Sequence, residues 1–148
     1  MSVIEQFCTF TIGDLFLGVP VQRIQEVIRY QEMTRVPLAS QDVRGLINLR
    51  GQIVTAIDMR RRLGLPERAE DQLPMNVVLR RDDGAVSLLV DDIGDVLEVS
   101  DEAWEPAPRT LKGVARELIS GVYKLEKGLL LVLDADKALL CDVRSDAA

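Results

Sequence analysis

Short stretches of alternating apolar and polar residues recur along this whole chain, and turn residues cut them apart. Successive side chains of a strand point to opposite faces, so a period of two marks a half-buried strand. Cys8, Phe10 and Ile12 alternate with Thr9 and Thr11; Gly13 and Asp14 supply a turn, and residues 15–19 read as the returning strand. Val27 and Ile28 with Val36 mark another extended stretch. Residues 46–50 and 52–57 flank Gly51 as a tight hairpin. Residues 76–81, a turn at Asp82-Asp83-Gly84, and residues 86–90 form a second. Strands over 95–99, 118–125 and 129–133 complete the set. Helices are limited to single turns: Asp58 is placed to cap residues 60–63, stopped by Gly64 and Pro66, and Asp134 to cap residues 135–140. Residues 67–74, and Pro106 with Pro108, read as loops. The expected class is all-β, a barrel or a sandwich.

An internal repeat refines this reading. Residues 15–19 align with 86–90, and 24–28 with 93–97 after a two-residue gap. Residues 45–51 and 53–58 align with 121–128 and 130–134, so two glycine hairpins each end in an aspartate cap. Two similar small barrels from one chain are the consequence. Sparse aromatics, 4% of residues, make the expected core aliphatic.

Charge narrows the partners. The net charge is −6; residues 1–74 hold 9 basic and 9 acidic side chains, and residues 75–148 hold 9 and 15. Such a chain is a poor ligand for nucleic-acid phosphates or an anionic membrane surface. Arg60, Arg61 and Arg62 with Arg50 are the only basic concentration, read as a solvated helix face or a protein-contact patch. No apolar run has the ~20 residues of a membrane span. Residues 1–7 lack the basic and apolar segments of a secretory leader, and Cys8 and Cys141 lie in no metal or redox spacing. Two reduced, structural cysteines in a cytoplasmic protein are expected.

Catalytic patterns are missing. The chain has no histidine, which removes Ser-His and Cys-His nucleophile pairs and the commonest zinc ligand. Asp134-Ala135-Asp136 starts like a calcium loop, but Leu139 and Ser145 stand where glycine and glutamate are required. Asp91-Asp92 reads as a turn. Gly13 and Gly18 lack the lysine and hydroxyl residue of a phosphate loop. No enzyme, no metal and no cofactor is the expectation, with a small histidine-free hydrolase as the rival class.

Gly45-Leu46-Ile47-Asn48-Leu49-Arg50-Gly51-Gln52-Ile53, continuing to Ile57-Asp58-Met59-Arg60, resembles the CheW family of chemotaxis coupling proteins. Phe10 to Asp14, Leu17-Gly18-Val19, Ile24 to Val27, Val90-Asp91, Asp95-Val96-Leu97 and Pro106-Ala107-Pro108 follow in the family's order, so the resemblance spans nearly the whole chain. Thr55-Ala56, Ser87 and Met59 depart from residues common there.

The resemblance implies two interlocked five-stranded SH3-like β-barrel lobes with short helices. They form a single CheW-like domain over 1–148. The first lobe lies near 14–66 and the second near 75–140, with terminal strands exchanged between them. It also implies a non-enzymatic cytoplasmic adaptor, recruited to membrane receptor arrays and monomeric outside them. Such an adaptor couples chemoreceptors to a CheA-type histidine kinase; the same role in pilus motility or developmental signalling is the alternative. Positions matching the family's receptor groove are Val21, Ile24, Val27, Arg50, Ile93 and Val96; Arg44, Gly45 and Ile53 match its kinase contact. Asn48, Gly51 and Asp58 match its structural motif. From the residues alone, Arg50 has two readings, partner contact or an internal salt bridge to Glu26 or Asp58. Ile24 and Val27 are expected on one face of a short helical turn, or in the core. Asn48 is expected to orient its hairpin.

Overall fold

The structure, a computed structural model, describes residues 3–37, 41–82, 84–111, 113–126 and 128–139. Each alternating segment becomes a strand. β1 (Ile4–Ile12) and β2 (Leu15–Pro20) form a hairpin, and a 3-10 turn (Val21–Arg23) leads into β3 (Ile24–Ile28). β4 (Val43–Leu49) and β5 (Gln52–Asp58) form the next hairpin and run into helix α1 (Met59–Arg62). β6 (Met75–Arg81) and β7 (Gly84–Val90) form the third, followed by β8 (Asp92–Ser100). β9 (Trp104–Glu105), α2 (Gly113–Leu118), β10 (Ile119–Leu125), β11 (Gly128–Leu133) and α3 (Ala135–Ala138) follow.

Both predicted caps form: Asp58 Oδ1 accepts from the Arg60 amide at 3.0 Å, and Asp134 Oδ1 from the Lys137 amide at 3.2 Å. Two local expectations need correction. Ile24 and Val27 lie in strand β3, because the helical turn ends at Arg23. Val36 lies outside any strand; Thr34 makes the isolated bridge, to Leu46. Neither β9 nor α2 was legible, since two residues show no period and the six of α2 open at a glycine. Cys8 is buried in β1, which pushes its thiol pKa up. Asp83, Leu140, Cys141 and Ser145 lie outside the described residues.

The strands make two sheets, ordered β8-β1-β2-β11-β10-β9 and β3-β6-β7-β5-β4. The order reveals the repeat: β3, β6, β7, β5 and β4 stand in one sheet where β8, β1, β2, β11 and β10 stand in the other. In each, a hairpin from one half of the chain is bonded in parallel to the capped hairpin of the other half. β2 pairs with β11 and β7 with β5. The span 14–66 therefore contributes β2 to one sheet and β3–β5 to the other, while β6 and β7, within 75–140, join the sheet of β3–β5.

Each sheet also curls toward closure. In the five-stranded sheet the outer edges β3 and β4 approach through Arg50 on Glu26, and Thr34 pairs with Leu46 along the free side of β4. In the other, a 3-10 turn (Asp101–Ala103) carries the chain from edge strand β8 straight to edge strand β9.

Strand alternation then divides the core. Val86, Leu88 and Val90 of β7 join Phe10, Ile12, Leu17 and Val19 of β1 and β2, and Leu131 and Leu133 of β11, in one large cluster shared by both sheets. The opposite faces fill each lobe separately. Leu130, Val132, Phe7 and Tyr123 pack in one, and Leu49, Val54, Val78 and Ala85 in the other. Burial of both faces explains why β7 is apolar almost throughout. The largest apolar cluster lies between the lobes, so each lobe buries apolar surface of the other.

Candidate protein-interaction surface

The motif of residues 45–53 forms the β4–β5 hairpin, closed by the Leu49–Gln52 pair around Arg50 and Gly51. Both turn residues have positive φ, 53° and 88°, as a two-residue type I′ turn requires. Gly51 adopts this freely. Arg50 is the only non-glycine residue with positive φ among those described, and a side chain there costs about 1 kcal/mol. Asn48 orients the turn, its Oδ1 accepting from the Gly51 amide at 3.0 Å.

Arg50 Nη1 donates to Glu26 Oε2 on β3 at 2.7 Å, the internal pairing foreseen as one of its two roles. Yet the Arg50 side chain is 76% exposed, and an exposed pair contributes at most about 1 kcal/mol. Stability alone therefore favours glycine or asparagine here, and the arginine keeps its donors at the surface.

Four of the five other receptor-groove candidates sit on edge strands. Val27, beside Glu26, is 41% exposed on β3. Val96 is 54% exposed on β8, opposite Cys8 of β1. Ile24 and Ile93 are half-buried against the shared core, and Val21 is half-buried in the turn before β3. Arg50 and Val27 are thus brought to one region through Glu26, while Ile93 and Val96 belong to the other sheet.

The kinase-contact candidates divide. Ile53 is 60% exposed near the hairpin tip, paired with Asn48. Arg44 is half-exposed near the base, its Nη1 3.8 Å from Asp58 Oδ2. Gly45 is buried: a Cβ there would stand 2.7 Å from the Thr34 carbonyl oxygen, so the glycine admits the strand-like strap at Thr34 and reaches a partner only through it.

The arginine run is neither solvated nor a surface patch. Arg60 Nε donates to Asp91 Oδ1 at 2.9 Å, Arg61 binds Glu67, and buried Arg62 donates to the Lys137 carbonyl at the end of α3 at 3.0 Å. Asp91 also accepts from the Gly13 amide at 2.7 Å and from Arg68 Nε at 2.9 Å. Burial alone would raise the Asp91 pKa, but these donors override it and hold the carboxyl at about 2. Asp58 adds to its cap a ring of Arg44, Arg61 and Arg68 at 3.8, 3.9 and 3.8 Å. Arg68 and Asp91 escape a sequence reading because a polar loop and a turn carry no sign of burial. Ser87 is buried too, donating to Asn76 Oδ1 at 2.8 Å.

No cluster of metal-ligating side chains occurs among the described residues, and no described helix is long and apolar enough to cross a membrane.

Several known proteins are similar to this chain. The CheW-like domain model matches residues 6–140. The chain is 30% identical to the chemotaxis protein CheW of Klebsiella aerogenes over 138 residues, covering 93% of this chain and 83% of that protein. It is 30% identical to the CheW of Bacillus subtilis over 135 residues, covering 91% and 86%. The crystal structure of the scaffolding protein TtCheW from Thermoanaerobacter tengcongensis superposes with a TM-score of 0.79 at 20% identity. That alignment covers 89% of this chain and 90% of that one, and the likeness bears on the fold.

Proposed function

The chain belongs to the CheW family, and from that premise we propose that it is a non-enzymatic adaptor coupling chemoreceptors to a CheA-type histidine kinase. The observation that carries this is the family match over residues 6–140 together with the hairpin of residues 45–53, which presents Arg50 and Ile53 at an exposed tip. The protein acts in the cytoplasm, is recruited to membrane receptor arrays, and is monomeric outside them. The receptor tip docks along Val21, Ile24, Val27, Arg50, Ile93 and Val96. The regulatory domain of the kinase docks at Arg44 and Ile53, with Gly45 setting the strap beneath. Two edge-strand surfaces with exposed valines, and an arginine held at some conformational cost, support the assignment. A rigid two-faced bridge transmits receptor state by shifting the kinase between conformations, and modest single contacts gain strength from multivalent arrays.

The test is calorimetric titration against the regulatory domain of a co-encoded CheA-type kinase, with wild type beside the Arg44→Glu/Ile53→Asp double variant. Saturable binding, lost in a variant that retains its circular dichroism, establishes the kinase face. Absence of heat from wild type against both that domain and a receptor-tip peptide overturns the reading.

A further inference from the structure

A second feature lies at the base of the β4–β5 hairpin. A cleft of about 920 Å³ opens between residues 30–37 and 41–44 on one side and 67–74 on the other, lined by Asp58 and by Arg44, Arg61 and Arg68. Its lining carries four cationic side chains, those three and Arg35, against Asp58, Glu67 and Glu70, in a chain of net charge −6. Arg61 is committed, donating to Glu67 and to the Gln41 carbonyl. Two arginines keep donors unused, although Arg68 Nε donates to Asp91 at 2.9 Å. Arg68 has a side chain only 8% exposed, and its Nη2 is buried with no hydrogen-bond partner. Arg44 makes no hydrogen bond among the described residues; its nearest carboxylate oxygen, on Asp58, lies 3.8 Å away. Asp58 cannot serve both, because one of its oxygens is held by the Arg60 amide and the carboxylate stands beyond hydrogen-bonding reach of all three guanidinium groups.

A buried guanidinium N–H without an acceptor is costly, and an oxyanion held between Arg68 and the half-exposed Arg44 removes that cost. We propose that this cleft binds an oxyanion group, a carboxylate or a phosphate, between Arg44 and Arg68. Nothing in this step depends on the adaptor reading, and its test contains neither kinase nor receptor, so either can fail alone.

The test is thermal unfolding of the full chain with sodium phosphate or a glutamate-rich hexapeptide, each against sodium chloride at equal ionic strength. The expected result is a saturable rise in Tm beyond the chloride control, about 4 °C at ten times Kd. Arg44→Gln and Arg68→Gln both abolish the rise. Arg68→Gln also lowers the ligand-free Tm by releasing Asp91, so Arg44→Gln, half-exposed, carries the decision. Saturation by phosphate alone identifies a free oxyanion; saturation by the peptide, with phosphate competing, identifies a carboxylate from an acidic segment. The proposal is overturned if neither probe exceeds chloride, or if Arg44→Gln shifts as wild type does.

Discussion

The β4–β5 hairpin with α1 and the β10–β11 hairpin with α3 are two versions of one device, and their differences show what this chain has done with its repeat. Each ends in an aspartate cap and each receives, in parallel, a hairpin from the other half of the chain. Each also has a glycine where an outside segment crosses its outer strand: Gly45 beneath Thr34, and Gly121 beneath the ring of Trp104. Both helices are tied to the segment that follows the incoming hairpin, but with the charges reversed. Asp91 after β7 binds Arg60 of α1, whereas Arg23 after β2 binds Asp136 of α3 at 3.0 Å. The first link is largely buried and shared with Arg68; in the second, Asp136 is almost fully exposed. The same geometry thus provides a buried ionic node in one half and a solvent-screened pair in the other.

The sharpest way to break this comparison is to remove the anion from one link and the cation from the other. Asp91→Ala strands two largely buried guanidinium groups and is expected to cost about 3 kcal/mol in urea denaturation. Arg23→Ala is expected to cost under about 1 kcal/mol; equal losses would mean the two links do not differ as their burial implies. The node also has a pH signature. Because the folded Asp91 pKa lies at about 2, below its ordinary 3.8, its contribution is complete above about pH 4 and is lost as pH falls toward 2. That contribution is about 2 kcal/mol, and Asp91→Ala should flatten the profile in that window.

The two glycines offer a smaller contrast. In Gly45→Ala the new methyl meets a backbone carbonyl at 2.7 Å, so the strap must lift, at an expected cost of about 2 kcal/mol. In Gly121→Ala it meets the Trp104 ring, a partly exposed side chain that can swing away. The expected cost is about 1 kcal/mol, with a red-shifted emission from the chain's single tryptophan. Urea titration followed by fluorescence reads both. The smallest structural effect is expected at the tip: Arg50→Asp should change stability by under about 1 kcal/mol while abolishing receptor pull-down. A large loss of stability would instead assign Arg50 to the fold.

The motif of residues 45–53 identified the hairpin, its turn and its Asn48 support before any coordinates, because turns and caps are settled by neighbours a few residues apart. It left Arg50 between two roles, and the structure shows the Glu26 pair without removing the exposed donors that a partner would use. Arg60 and Arg62 illustrate the limit. Three adjacent arginines look like a surface feature, yet one is paired with Asp91, 31 positions away, and another is buried on the carbonyls of α3. Arg68, in a stretch that reads only as polar loop, lines the cleft for the same reason.

What this sequence determined by itself was everything with a short range: the strands by their period of two, the hairpins by residues that tolerate positive φ, and the ends of α1 and α3 by their aspartates. Even the repeat was legible, as matching apolar patterns. Only the tertiary structure decided that the first hairpin of each half joins the sheet of the other, that the main core lies between the lobes, and which charges are buried. Burial of a strand's second face, or of a guanidinium, is set by segments far away in the chain that carry no local mark of where they will pack.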